Sequence, residues 1–193
     1  LALDTYQEYV DLTDALAESA PLLDGLRADV SVDRALFESG TVRVAEPHAP
    51  ENAITEAVKE LQSAERLLVF SPVVKSNYIR LVQEQVEERG LDVTLVLETG
   101  ASESLAALTN MTETIADLVE SESLSLYRTD RDLPFMLYLM LGDESDTVGI
   151  TVHDDGGIVG SVTANDLDAV AWGREWFDDV MTNTEAVQPS SLL

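Results

Sequence analysis

From residue 41 the hydrophobic positions fall into two alternating periods. "TVRVAE" (41–46) has the every-second-residue pattern of a strand, and Ile54, Ala57, Val58 and Leu61 then recur at helical spacing. "RLLVFSP" (66–72) returns to strand, "SNYIRLVQEQVEER" (76–89) reads as a helix, and Gly90 supplies the residue that most readily ends one. "DVTLVLE" (92–98), a helical stretch over about 102–120 and "SLSLYRT" (123–129) continue the alternation. Strands separated by helices predict a parallel sheet with right-handed crossovers. The pattern then changes: "PFMLYLML", "DTVGITVH" and "GIVGSVTA" follow one another with short turns, and "DDGG" (154–157) has hairpin composition. These segments should extend the sheet antiparallel. Asn165 is placed to cap a last helix, with Asp168 three residues on, and Ala169, Trp172, Trp176 and Val180 form its apolar stripe. The expected fold is α/β: a mixed sheet of parallel β-α units, then antiparallel strands and a C-terminal helix.

Residues 4–26 read as one long helix or a pair broken at Pro21. Tyr6, Val10, Thr13, Ala17 and Ala20 make a stripe spaced by four and three, too short for a coiled coil, so an ordinary amphipathic helix is the simpler reading. The organisation expected is an N-terminal helical linker or dimerisation segment (1–40), an α/β domain (41–182) and a tail (183–193). The chain opens at Leu1, within helical material, as expected of a fragment of a longer protein.

Composition narrows the classes. The chain has 193 residues, 45% of them apolar, so it can fold despite a net charge of −26. That charge comes from 37 acidic residues against 11 basic ones, of which only Lys59 and Lys75 are lysines. A surface so rich in carboxylates and poor in lysine suits concentrated salt, where repulsion is screened within about 3 Å at 1 M. The expected setting is a halophile's cytoplasm. Duplex DNA is a poor direct partner, because its affinity rests on clustered Lys and Arg and weakens in salt. The absence of cysteine removes disulfides and thiolate metal sites. The longest apolar run, "LPFMLYLML" (133–141), is far short of the roughly 20 residues a membrane helix needs.

In open α/β sheets ligands bind beyond the carboxyl ends of parallel strands, which here are the loops "SPVVKS" (71–76), "ETGAS" (98–102) and "RTDRDLP" (128–134). They carry Lys75, Arg128 and Arg131 together with the hydroxyls of Ser71, Ser76, Thr99 and Ser102. In so acidic a chain, that is a candidate site for an anionic small molecule, helped by helix N-termini. The competing reading pairs these cations with Asp130, Asp132 and Glu98. His48, held between Pro47 and Pro50 at the start of a helix, is either a ligand contact or a pin bonding a nearby carbonyl; the flanking prolines favour the pin. Met136, Tyr138 and Met140 face one side of a doubly buried strand and Phe135, Leu137, Leu139 and Leu141 the other. Core is the simpler reading for them, with pocket lining the other.

Catalytic signatures are thin. A phospholipase-type histidine needs a lysine two residues on, and neither His48 nor His153 has one. "TDRD" (129–132) lacks the unbroken apolar run expected before a phosphoryl-transfer aspartate pair, and "DDGG" is explained by its turn. There is no nucleophile elbow, phosphate-cradling glycine loop or metal-spaced histidine pair. No cofactor is expected, and a small hydrolase or phosphoryl-transfer enzyme using strand-end carboxylates is the alternative.

"VAEPHAPENAI", "VFSPVV", "LYRTDRDLPFMLYL" and "TVHDDGGIVGSVTANDLDAVAWGREWFDD", in that order over roughly residues 30–185, resemble the middle domain of the methanogenesis-regulator family of archaeal, especially haloarchaeal, transcription regulators. The resemblance implies an effector-sensing and dimerising module. Its DNA contacts would belong to an N-terminal winged helix-turn-helix outside this chain. It implies no catalytic residues.

Overall fold

The computed structural model of the chain describes residues 17, 19–27, 29–107, 111–155 and 157–188. A helical segment over 19–24 precedes α1 (Arg34–Glu38), β1 (Thr41–Val44), a 3-10 helix (Pro50–Ile54), α2 (Thr55–Leu61), β2 (Arg66–Ser71) and α3 (Ser76–Arg89). Then come β3 (Asp92–Glu98), α4 (Thr99–Ala107), α5 (Thr112–Glu120), β4 (Leu124–Thr129), β5 (Met136–Leu141), β6 (Thr147–Asp154), β7 (Gly157–Ala164), α6 (Leu167–Met181) and β8 (Glu185–Ala186). The strands form one mixed sheet in the order β1-β7-β6-β5-β2-β3-β4-β8. β2, β3 and β4 pair in parallel, and every other pairing is antiparallel.

Alternation along the central strands separates two cores. Leu67 and Val69 on β2, Val93, Leu95 and Leu97 on β3, and Tyr138 and Met140 on β5 cluster with Ala57 and Leu61 of α2, Ile79 and Val86 of α3, and Ile115 and Leu118 of α5. Phe70, Val96, Leu137, Leu139 and Ile150 face the other way, onto Leu22, Leu36 and the α6 residues Ala169, Phe177 and Val180. Each fully buried large apolar side chain contributes about 1.5–3 kcal/mol relative to exposure, so both faces must be covered. Phe70, Phe135, Trp172 and Trp176 make the second core aromatic, with Phe135 and Trp176 centroids 5.2 Å apart. Gly90 ends α3 at φ 70°, where its own N–H donates to the Val86 carbonyl.

The mixed sheet and the C-terminal helix match the expectation from the sequence, and four details do not. β1 does not join the parallel set: it lies at the far edge, antiparallel to β7, with Arg43 opposite Ser161. A four-residue strand exposed along most of its length suits an edge, and β5 already occupies the free side of β2. The stretch expected as one helix over about 102–120 is two, α4 starting at Thr99 and α5 at Thr112. Asp166, not Asn165, caps α6, its carboxylate accepting from the Asp168 and Ala169 amides. The segment expected as tail contributes β8, which adds to β4 through Tyr127 and Arg128. Pro21 lies within helical residues 19–24 rather than breaking them. Tyr6, Val10 and Thr13 of the proposed stripe lie outside the described residues, and Ala17 and Ala20 are exposed.

Candidate functional site

Between the first sheet face and helices α2, α3 and α5 lies a cavity of about 110 Å³. Its wall is almost wholly apolar: Leu61, Leu67, Val69, Leu95, Ile115, Leu118, Met136 and Met140 line it, among others. Four polar side chains reach it, those of Ser71, Tyr78, Tyr138 and Thr151. The local sequence explains the space. Gly149 lies opposite Tyr138 in the β5–β6 register, and a Cβ there would sit 2.3 Å from the phenol ring. Glycine lets Tyr138 lie flat across β6 and reach β7, where its hydroxyl bonds Thr163 Oγ1 at 2.6 Å. Large residues on β5 thus face small ones on β6.

Two polar atoms near this end of the site have no hydrogen-bond partner among the described residues. Thr151 is fully buried, and its Oγ1 has no hydrogen-bond partner among the described residues. Burial pushes the Tyr138 phenol up to about 12, while the hydroxyls of Thr163, Ser161 and Thr151 pull the other way. Thr151 Oγ1 is therefore near enough to Tyr138 to act on its charge without forming a well-shaped bond to it. His153, two residues along β6, has a buried Nδ1 that likewise has no hydrogen-bond partner among the described residues. Its Nε2 lies 3.3 Å from the Tyr78 hydroxyl at the start of α3. Desolvation first, and then the Lys75 ammonium, lower His153 to about 4, so it is neutral near pH 7. Burial, with Glu51 nearby, raises Tyr78 to about 12, so it remains a neutral phenol. Ser71 is already satisfied, donating to the Val73 carbonyl at 2.6 Å.

The strand-end loops do come together, as parallel pairing of β2, β3 and β4 requires, and Arg128 and Arg131 line one polar recess of about 450 Å³ with Thr129, Asp130, Asn183, Thr184 and Glu185. Thr99 Oγ1 donates to Asp130 at 2.6 Å, tying two loops to each other. Arg128 pairs with Glu185 on β8 at 2.8 Å. Arg131 pairs with Asp179 of α6 and lies 5.5 Å from the Trp176 ring centre. Both arginines thus have acidic partners, though not the neighbouring acids that the sequence pointed to. Lys75 and Ser76 sit at the start of α3, with Lys75 near His153. Ser102 lies in α4. His48 occupies an exposed turn closed by the Ala49 amide donating to the Glu46 carbonyl, and its side chain forms no hydrogen bond to a described residue. Pro50 opens the 3-10 helix as its position suggested, so the corner is architectural without an imidazole pin. Of the expected site residues, only Ser71 lines the cavity. Thr151, Tyr78 and His153 were missed; the alternation of Met136, Tyr138 and Met140 was the signal that led to this face.

Among the described residues no group of three or more His, Asp and Glu is placed to hold a metal ion, and no helix is long and apolar enough to cross a membrane. Among solved structures, the archaeal chromatin protein TrmBL2, whose structure shows a novel mode of DNA binding, is similar with a TM-score of 0.55 at 19% identity, over 96% of this chain. The chain spans 64% of that protein's length. Nuc, a phospholipase D family member from Salmonella typhimurium, has a TM-score of 0.53 at 13% identity, covering 77% of this chain and 99% of Nuc. NucT from Helicobacter pylori has a TM-score of 0.55 at 11% identity, covering 77% of this chain and 98% of NucT. At these identities the likeness concerns the fold alone. No curated protein matches the sequence. Residues 47–183 match the family described as methanogenesis regulatory protein FilR1, middle domain, and that span takes in β2 to β7, every helix from α2 to α6 and the whole cavity. The chain belongs to the FilR1 middle-domain family.

Proposed function

We propose that the chain is the effector-sensing and dimerising domain of a transcription regulator from a salt-adapted archaeon. DNA is contacted by another part of the longer protein. The observation that carries this reading is the cavity: a regulatory-family domain has apolar space built into its core, bordered by an unpaired hydroxyl. A sensor needs a site whose occupancy changes the free energy of a fold, and a space between a sheet and the helices that cover it supplies one. Neither histidine is followed by lysine at the second position, which argues against sharing the chemistry of phospholipase D-family proteins of similar fold.

Mobility shifts on the gene's own promoter, with this chain and with the full-length product, test the proposal. Only the full-length protein should bind, and added effector should change its occupancy. Specific promoter binding by this chain alone, or hydrolysis of bis(p-nitrophenyl) phosphate by it, would overturn the proposal. Dimerisation is read by sedimentation: a species at twice 21.0 kDa is expected.

A further inference from the structure

We infer that the cavity between the first sheet face and helices α2, α3 and α5 binds a small, uncharged, mainly apolar molecule carrying a single hydrogen-bonding group, which pairs with Thr151 Oγ1. Its biological meaning rests on the effector-sensing reading; the binding itself does not.

Three observations lead there. The first is size and lining. An apolar cavity of about 150 Å³ admits benzene or xenon, so about 110 Å³ suits a guest of about five or six heavy atoms. The second is the polar end. Thr151 is fully buried and its hydroxyl is unpartnered, whereas the Ser71, Ser161 and Tyr138 hydroxyls beside it are bonded to Val73, Ala53 and Thr163. A buried hydroxyl left alone is costly, and a ligand atom that can donate or accept relieves it.

The third is charge. Among the described residues no Lys or Arg lines the cavity, so a carboxylate or phosphate entering it would lose its hydration with no cation in return. The approach favours a neutral guest as well. Ile54, Val58, Tyr78 and Leu81 line both the cavity and a surface recess of about 360 Å³ outside it, and therefore form the boundary between them. That recess carries Glu51 and Glu84 against Arg80 alone. The anionic ligand expected from the strand-end loops is thus the wrong class for this space.

The test is an NMR titration of the whole chain in molar KCl with three probes: butan-1-ol, sodium butyrate and xenon. Butan-1-ol should bind saturably, shifting the methyl signals of Leu61, Val82 and Leu118. Xenon should shift the same methyls, and butyrate should bind at least roughly 30-fold more weakly than the alcohol. Thr151→Val should weaken butan-1-ol by roughly fivefold to tenfold and leave xenon unchanged. Ala57→Leu should abolish both; if its circular dichroism departs from wild type, Ala57→Val takes its place and should weaken both. No saturable shift with butan-1-ol and xenon, equal affinity for butyrate, or an undiminished alcohol affinity in Thr151→Val would overturn the inference. The two proposals fail separately. A promoter response to an anion mapped to Lys75 or Arg131 keeps the sensor and removes this cavity as its site. Saturable butan-1-ol binding without any effect of cavity ligands on promoter occupancy keeps the cavity and removes the sensor.

Discussion

Thr151→Val should make the protein more stable in the absence of ligand, although it deletes a polar group from the core of a sheet. Valine and threonine share the branch at Cβ and are close in size, so the swap exchanges a hydroxyl for a methyl without opening space. Where a buried hydroxyl is bonded, that exchange is destabilising, because a partner is left unsatisfied. Thr151 Oγ1 has no partner among the described residues and the residue is fully buried, so its desolvation, about 1–3 kcal/mol, is uncompensated. Removing it and adding a methyl against an apolar wall should gain about 1 kcal/mol, which for a domain of this size moves Tm by about 2–4 °C. The neighbouring strand supplies the control. Thr163 is also buried, but its hydroxyl bonds Tyr138 at 2.6 Å, and Thr163→Val removes that bond while the Val162 carbonyl stays at 3.5 Å. That variant should lose about 1–2 kcal/mol. Urea unfolding followed through Trp172 and Trp176, which sit on the far face of the sheet, reads both at unchanged m. A loss of 1 kcal/mol or more in Thr151→Val would show that its hydroxyl is satisfied, and would remove the main argument for a polar anchor in the cavity.

Gly149→Ala should cost about 1–3 kcal/mol by calorimetry, because its Cβ would overlap the Tyr138 ring and break the reach to Thr163. His153 stabilises the fold when neutral. Its folded value of about 4 lies below the ordinary 6.5, so the contribution is complete above about pH 6.5 and is lost as pH falls to about 4. Between those limits wild type should lose up to about 3 kcal/mol more than His153→Gln in parallel urea series; superimposable pH profiles would place His153 in solvent. Arg131→Ala gives up an ion pair with a well-exposed Asp179 and a contact over Trp176, and should cost about 1 kcal/mol or less while leaving butan-1-ol binding intact. The net charge of −26 should make Tm climb from dilute buffer to molar KCl; a flat or falling series would contradict salt adaptation.

Much of the fold could be read locally. α3 (Ser76–Arg89) and β3 (Asp92–Glu98) begin and end where the hydrophobic period changes, because helix and strand periodicity and the Gly90 terminus are properties of neighbouring residues. The two-faced burial of β5 followed from its unbroken apolar run, and the meeting of the β2, β3 and β4 loops at one edge followed from parallel pairing. What tertiary structure decided depends on partners far along the chain. β1 went to the edge because β7, more than a hundred residues later, offers the pairing. Arg128 and Arg131 took their acidic partners, Glu185 and Asp179, from elements whose positions nothing near residue 130 specifies. Whether Thr151 would be one more bonded strand hydroxyl or an unpaired group at a cavity depended on where the neighbouring hydroxyls of Tyr138, Thr163 and Ser161 found their own partners. The cavity itself exists because helices α2, α3 and α5 meet a sheet face on which β5 carries large side chains and β6 small ones, and that mismatch in volume arises only when the layers are assembled.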